Sequence, residues 1–306
     1  MKQRLWGVLY GVLLTAFTAY VLLDTFVIER VYQTVPSEGE GAVTVSSMES
    51  SAVSETTEES GAAVITADSY EDGNISIAIT RYREKDTAVY VADVKISSAE
   101  YLKTALANDA FGKNVTQKTS EIAENNHAIL AINGDYYGSQ ERGYVLRNGL
   151  LYRDTASSGQ EDLVIDADGS FEIITETSVA ADQLLAGGAQ QILSFGPALV
   201  REGEVSVTQE EEVGKAKTSN PRTAIGIVEP LHYLFVVSDG RTQESAGLSL
   251  YELAQFLCSL GAQTAYNLDG GGSSTMVFNG EVINNPTTNG RRIEERSVSD
   301  IVYIGY

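Results

Sequence analysis

The sequence predicts an α+β protein: a single domain with a mixed β-sheet and covering helices, behind an N-terminal transmembrane anchor and a disordered stalk. Three observations predict it. Segments such as Ile75-Ser76-Ile77-Ala78-Ile79 alternate with the two-residue period of strands. Ser249 and Glu252 form a Ser-x-x-Glu capping box that opens an apolar helical run. Strand-like and helix-like segments then intermix without a regular βαβ repeat, which argues for α+β rather than doubly wound α/β.

The N-terminus comes first. Residues 1–4 carry Lys2 and Arg4 and are expected in the cytoplasm. Residues 5–28 are almost wholly apolar, interrupted by Asp24, and are long enough to cross a bilayer as a helix. Ala16-Phe17-Thr18-Ala19 resembles a signal-peptide cleavage site, but the apolar run continues through Tyr20-Val21-Leu22-Leu23, so an uncleaved signal anchor is expected. Residues 29–69 are read as an acidic stalk holding the domain away from the membrane. Residues 31–80 contain nine Asp and Glu and no Lys or Arg, and the stalk is rich in Ser, Thr, Gly and Val. Such a segment buries too little surface to offset the entropy of ordering it.

The domain is expected over residues 70–306. Residues 75–79 and 88–94 read as strands, 101–106 and 119–125 as short helices, and 128–132 as a strand. Residues 223–228 and 232–237 are two further strands. The capped helix runs from Ser249 and stops before Gly261, a strand precedes Asp269, and residues 300–304 close the sheet.

The net charge of −21 disfavours nucleic acid, and no basic stripe is present. Cys258 is the single cysteine, so an internal disulfide is impossible; it falls in an apolar helical run and reads as a core residue. His127 and His232 lie in or beside strands and read as structural. No His-rich ligand set is present and no metal or cofactor is assigned, although the acids are of a type that could hold a divalent cation.

Five polar clusters follow or precede the strand-like runs. They are Asn133-Gly134-Asp135-Tyr136-Tyr137, Ser194-Phe195-Gly196-Pro197, Asn220-Pro221-Arg222-Thr223, Ser238-Asp239-Gly240-Arg241 and Asn267 to Thr275. Strand ends are where open sheets present ligand sites, though Asn-Gly and Asp-Gly are also common turns. The last cluster holds three successive glycines, Gly270, Gly271 and Gly272, with Asp269 before them and Ser273 and Ser274 after. Without Cβ atoms, backbone can approach a ligand closely. The segment lacks the Lys of a phosphate-binding P-loop, the spaced glycines of a dinucleotide fingerprint and the Gly-x-Ser-x-Gly of a nucleophile elbow.

Taken in order, Ala131 to Tyr136, Phe195-Gly196-Pro197, Asn220-Pro221-Arg222-Thr223-Ala224, Asp239-Gly240-Arg241, Asn267 to Ser274 and Glu295-Arg296 resemble the phosphodiester glycosidase family over residues 75–306. The resemblance implies hydrolysis of a sugar-1-phosphodiester, here in an envelope polysaccharide or glycan outside the cytoplasm. It implies Asp135, Asp239 and Asp269 as the candidate catalytic acids. It implies Asn133, Arg222, Thr223, Arg241, Gly270, Gly271, Gly272, Ser273 and Ser274 as candidate substrate-binding residues. Arg222 and Arg241 suit a phosphate, because a guanidinium donates two parallel hydrogen bonds to its oxygens. A carboxylate stabilises oxocarbenium character at the sugar, and a phosphate leaving group reduces the need for a strong general acid. The alternatives are a noncatalytic carbohydrate-binding protein or an exopolysaccharide-assembly protein. The expected partners are therefore the sugar phosphodiester or polysaccharide and, through the N-terminal helix, the membrane.

Overall fold

A computed structural model of the chain describes residues 2–35, 63–210 and 219–306. In chain order its elements are α1 (Lys2–Phe26), β1 (Arg30–Thr34), β2 (Val64–Ile65), β3 (Ser69–Glu71), β4 (Ile75–Glu84), β5 (Thr87–Ile96), β6 (Leu102–Leu106), β7 (Ala110–Lys113), α2 (Thr119–Asn125), β8 (Leu130–Asn133), β9 (Val145–Arg147), β10 (Leu150–Arg153), β11 (Glu161–Asp166), β12 (Phe171–Thr175), α3 (Ala181–Gly187), β13 (Ala189–Leu193), β14 (Ala198–Arg201), β15 (Glu204–Val205), β16 (Arg222–Glu229), β17 (His232–Ser238), α4 (Leu250–Ser259), β18 (Thr264–Leu268), β19 (Met276–Phe278), β20 (Glu281–Val282) and β21 (Asp300–Ile304).

The strands form a nine-stranded sheet in the order β15-β14-β18-β16-β17-β5-β4-β3-β2. Two five-stranded sheets run β20-β19-β8-β21-β6 and β10-β9-β13-β11-β12, and β1 pairs with β7. Every pairing between these strands is antiparallel. The α+β class with covering helices holds.

Side-chain alternation explains the layers. On β17, Tyr233, Phe235 and Val237 join the central core, while Leu234 and Val236 turn to the opposite face beneath α4. On β21, Val302 and Ile304 join the same central core, while Ile301 and Tyr303 face a second cluster that includes Ile122 and Ala123 of α2. The central core therefore lies between the nine-stranded sheet and the sheet containing β8 and β21. Strands buried on both faces read as continuous apolar runs, which is why residues 88–94 and 232–237 carry so few polar side chains.

The capped helix forms as expected: Ser249 Oγ accepts from the Glu252 N–H, and Glu252 Oε2 accepts from the Ser249 N–H at 2.9 Å. Cys258 packs against the apolar cluster beneath α4. Residues 101–106 depart from the expected helix. A single 3-10 turn at Ala99–Tyr101 leads directly into β6, which pairs with β21 along its whole length. Tertiary pairing outweighs the weak helical preference of so short a segment.

The expected anchor is a helix, α1, whose apolar stretch Leu9–Phe26 is long enough to cross a membrane. The expected stalk is structured at both ends: β1 pairs with β7, and Val64–Ile65 and Ser69 extend the nine-stranded sheet. Residues 36–62 of that stalk lie outside the described residues.

Candidate active site

The sheet termini that face one another at one end of the core are the C-terminal ends of β8, β17 and β18 and the N-terminal ends of β16 and β21. The register Arg222↔Ser238, Thr223↔Leu268 and Asn133↔Ile301 sets these ends side by side. A cleft of about 790 Å³ opens there, and its lining includes Tyr136, Phe195, Asn220, Arg222, Arg241, Asp269, Gly270, Gly271, Ser273 and Arg296. Asp269 is the acid among the described lining residues, and the three arginines outnumber it. Among the described residues, a chain with a net charge of −21 thus lines this cleft with more cations than acids.

Asp269 sits at the end of β18. Its Oδ2 accepts a hydrogen bond from Ser273 Oγ at 2.6 Å and pairs with the Arg296 guanidinium at 2.9 Å. Arg296 Nε also donates to Ser273 Oγ at 3.0 Å. Burial pushes the Asp269 carboxyl above the ordinary carboxylate range, although Arg296 and Ser273 pull it down. Arg222 is only 3% exposed. Its Nε donates to the Leu248 carbonyl at 2.9 Å, which orients the guanidinium at the cleft wall. Arg241 is held by Asn220 Oδ1 at 3.1 Å and the Thr288 carbonyl at 2.6 Å. Burial and the neighbouring Arg296 charge lower its basicity. Tyr136 and Phe195 meet edge to face, with ring centroids 5.4 Å apart, and form an aromatic wall.

The three glycines have packing reasons. Gly271 has φ +63°, and a Cβ there would lie 2.8 Å from the Arg241 guanidinium. A Cβ on Gly272 would lie 2.4 Å from Thr288 Oγ1. The Gly271 N–H is taken by the Pro221 carbonyl at 2.8 Å, which ties the glycine turn to the start of β16. Gly270 and Gly271 line the cleft.

The structure divides the expected site residues into two groups. Arg222, Arg241, Asp269, Gly270, Gly271 and Ser273 line the cleft. Asn133, Asp135, Thr223, Asp239, Gly272 and Ser274 are buried in the wall behind it. Asn133 is a staple: its Nδ2 donates to the Asp269 carbonyl at 2.6 Å, and its Oδ1 accepts from Thr223 Oγ1 at 2.8 Å and from the Thr275 N–H at 3.2 Å. Asp239 accepts from the Asn285 N–H and Asn285 Nδ2, both at 2.8 Å, and from Asn284 Nδ2 at 3.3 Å. Asp135 accepts from the Tyr137 and Ser194 N–H groups and pairs with Arg147 at 2.9 Å. His127 and His232 lie outside the cleft lining, and His232 pairs with Asp93 at 3.0 Å.

Two groups were given no site role from the sequence. Arg296, which the sequence marked only within the Glu295-Arg296 motif, completes the cationic lining; its partner Asp269 is 27 residues away, so no local spacing points to the pair. The second is a buried cluster in which Arg147 bridges Asp135 and Asp300, with the Arg147–Asp300 pair at 2.7 Å. Burial opposes the Arg147 charge, but the two carboxylates outweigh it and raise its pKa. Burial and the neighbouring Asp135 charge raise that of Asp300. Gly134 gives room for this cluster, since a Cβ there would lie 2.5 Å from Asp300 Oδ1. Among the described residues, no group of three or more His, Cys, Asp or Glu side chains is placed to hold a metal ion.

A family model described as phosphodiester glycosidase matches residues 126–305. The SPbeta prophage-derived uncharacterized protein YomE of Bacillus subtilis (strain 168) is 29% identical over 201 residues, covering 64% of this chain and 31% of that protein. The N-acetylglucosamine-1-phosphodiester alpha-N-acetylglucosaminidase of Homo sapiens is 33% identical over 123 residues, covering 39% and 24%. The chain thus spans about a quarter to a third of the length of these relatives. The catalytic domain of the zebrafish enzyme of that name, solved in a form auto-inhibited by its pro-peptide, shares the fold. Its TM-score is 0.60 at 21% identity, over 76% of this chain and 83% of that one.

Proposed function

From the chain's membership of the phosphodiester glycosidase family, we propose that the cleft hydrolyses the bond between a sugar C1 and a phosphodiester oxygen. The observation that carries this reading is the lining itself: among the described residues, three guanidinium groups share the cleft with one partly desolvated carboxylate. A phosphodiester anion needs cations, and a reacting anomeric carbon needs a nearby anion, in the same cleft.

In this reading Arg222 and Arg241 bind the phosphate oxygens. Tyr136 and Phe195 flank the sugar. Asp269 serves the anomeric centre as general base. Water adds at C1 and gives its proton to the Asp269 carboxylate; the C1–O bond breaks, and its electron pair leaves with the phosphate monoester. That leaving group is stable as an anion, so a second carboxylic acid in the cleft is dispensable. A substrate phosphate also competes for Arg296. Drawing that cation away strengthens Asp269 as a base when the substrate is in place. Asp135 and Asp239 act from the wall by holding the loops that carry Tyr136 and Arg241.

The family pattern, together with α1 as a membrane anchor, supports a substrate in the cell envelope, such as a polysaccharide. The competing reading is a protein that binds carbohydrate, or assembles exopolysaccharide, without cleaving it. Incubating the purified chain with the methyl diester of N-acetylglucosamine 1-phosphate, and following release of the free sugar, separates the two. Release by the parent and its loss in Asp269→Asn are expected. Saturable binding without release would overturn the enzymatic reading.

A further inference from the structure

We propose that the domain sits directly on the bilayer and that its cleft takes a glycosyl phosphodiester carried on a lipid. The inference rests on the phosphodiester reading of the cleft and names the class of its substrate.

The argument begins at the end of α1. The exposed apolar helix has one length-matched solvent, the hydrocarbon of a bilayer. Only Val27, Ile28 and Glu29 separate it from β1. β1 is part of the domain: it pairs with β7, and the Val35 N–H extends the ladder to the Asp109 carbonyl at 2.8 Å. Asn114, just past β7, reaches back to the helix terminus. Its Nδ2 donates to the Thr25 carbonyl at 3.2 Å and to the Ile28 carbonyl at 3.1 Å. Arg30 pairs with Asp24 across the same junction. Val31 and Tyr32 on β1 and Val35 just past it remain exposed, and Tyr32 meets Phe111 of β7 with centroids 6.0 Å apart. Apolar and tyrosyl side chains directly beyond a spanning helix suit the interfacial region. A long flexible tether is therefore absent between α1 and the domain.

The same junction borders the cleft. Thr116, an exposed lining residue, is two residues after Asn114, so their Cα atoms are at most about 7 Å apart. The Asn114 N–H donates to the Gly138 carbonyl at 3.1 Å, and the next residue, Ser139, is also exposed and lines the cleft. The cleft rim is thus tied to the residue that holds the membrane-side end of α1. A sugar phosphate at a lipid headgroup lies at that height; a polymer far from the membrane does not. Cleavage at C1 releases the free sugar and leaves the lipid phosphate monoester in the bilayer.

The test uses the full chain in phosphatidylcholine vesicles. The methyl and hexadecyl diesters of N-acetylglucosamine 1-phosphate are compared as substrates, with and without a flexible Gly-Ser insertion between Ile28 and Glu29. The hexadecyl diester should be cleaved with about tenfold or greater efficiency, because both partners share one surface. The insertion keeps the domain tethered but unseats its cleft, so it should lower that advantage several-fold and leave methyl-diester turnover unchanged. A second readout is independent of chemistry. With Cys258→Ser as background, a fluorophore on Glu141→Cys is compared with one on Gln255→Cys of α4, across the nine-stranded sheet. Nitroxide headgroup lipids should quench the first more strongly, and the insertion should abolish the difference. Equal efficiency for the two diesters, insensitive to the insertion, overturns the lipid-borne substrate while leaving the proposed reaction standing. Equal quenching overturns the seating. Turnover of neither diester removes the phosphodiester reading and the lipid-borne substrate together.

Discussion

Asp269 stands under opposed influences: burial raises its pKa, while Arg296 and Ser273 lower it. The balance lies above the ordinary value, and the proposed base must be ionised to accept a proton. The expected kcat/KM therefore falls as pH falls through an acid limb displaced above the usual carboxylate range. In Asp269→Asn that limb should disappear and kcat should drop by about 10² or more, with binding of a nonreactive sugar phosphate largely kept. Wild-type turnover by the folded variant would remove the role. Arg222→Lys keeps the charge and loses the planar fork. It should raise KM for the phosphodiester by a factor corresponding to roughly 1.5–3 kcal/mol, with little effect on affinity for the free sugar. Calorimetric titration of both ligands checks this. At this scale the sequence made Asp269, Arg222 and Arg241 visible, because they sit in short polar clusters beside apolar runs. It marked Arg296 only as part of the Glu295-Arg296 motif, without a role, and left Arg147 unmarked, because the partners that define them are far away along the chain.

Elements decide how those residues are held. The glycine turn after β18 packs so closely that Gly272→Ala drives a Cβ into Thr288. A loss of about 1–3 kcal/mol in urea unfolding is expected, typical of overpacking at a fixed backbone. The Arg147 cluster joins β9 to the end of β8 and the start of β21. Arg147→Met leaves two carboxylates without their shared cation, so a loss of about 3–5 kcal/mol is expected from the same measurement. Legibility among elements followed strength of local signal. The box at Ser249 and Glu252 marked α4, and the apolar run marked β17 within a residue. Residues 101–106 misled because their strand character comes from β21, almost 200 residues later. The strands between residues 145 and 201 went unread because several are short and their burial alternates only in part.

The whole molecule carries an acid load that its interior also feels. Asp162 on β11 is fully buried beside Glu176. Burial, reinforced by the Glu176 charge, pushes its carboxyl up to about 9, while Ser194 acts in the opposite direction. A raised pKa means that the folded state binds more protons than the unfolded chain between the ordinary 3.8 and about 9. The stabilisation from the protonated form is fully present below that window and is lost as pH rises through it. Asp162→Asn should therefore gain Tm relative to the parent as pH rises from neutrality towards 9, when both are followed by circular dichroism melting. Parallel Tm curves would show that the pair does not titrate with folding.

The sequence by itself determined the α+β class, the apolar anchor-length segment, the capped helix, the central strands and the family motifs. Each depends on periodicity, capping or side-chain chemistry that acts over a few residues. Only the tertiary structure decided which polar residues face the cleft and which brace its wall. Asp135 and Asp239 carry the same chemistry as Asp269 in the sequence, yet strand register turns the first two inward to buried partners and leaves Asp269 at the opening. Strand register also drew the head of the expected stalk into the domain. β1 pairs with β7, a contact between residues about 80 apart that no local pattern announces. Such long-range pairings emerge only when the layers close on a common core, because each segment's partner is chosen by the packing of the others.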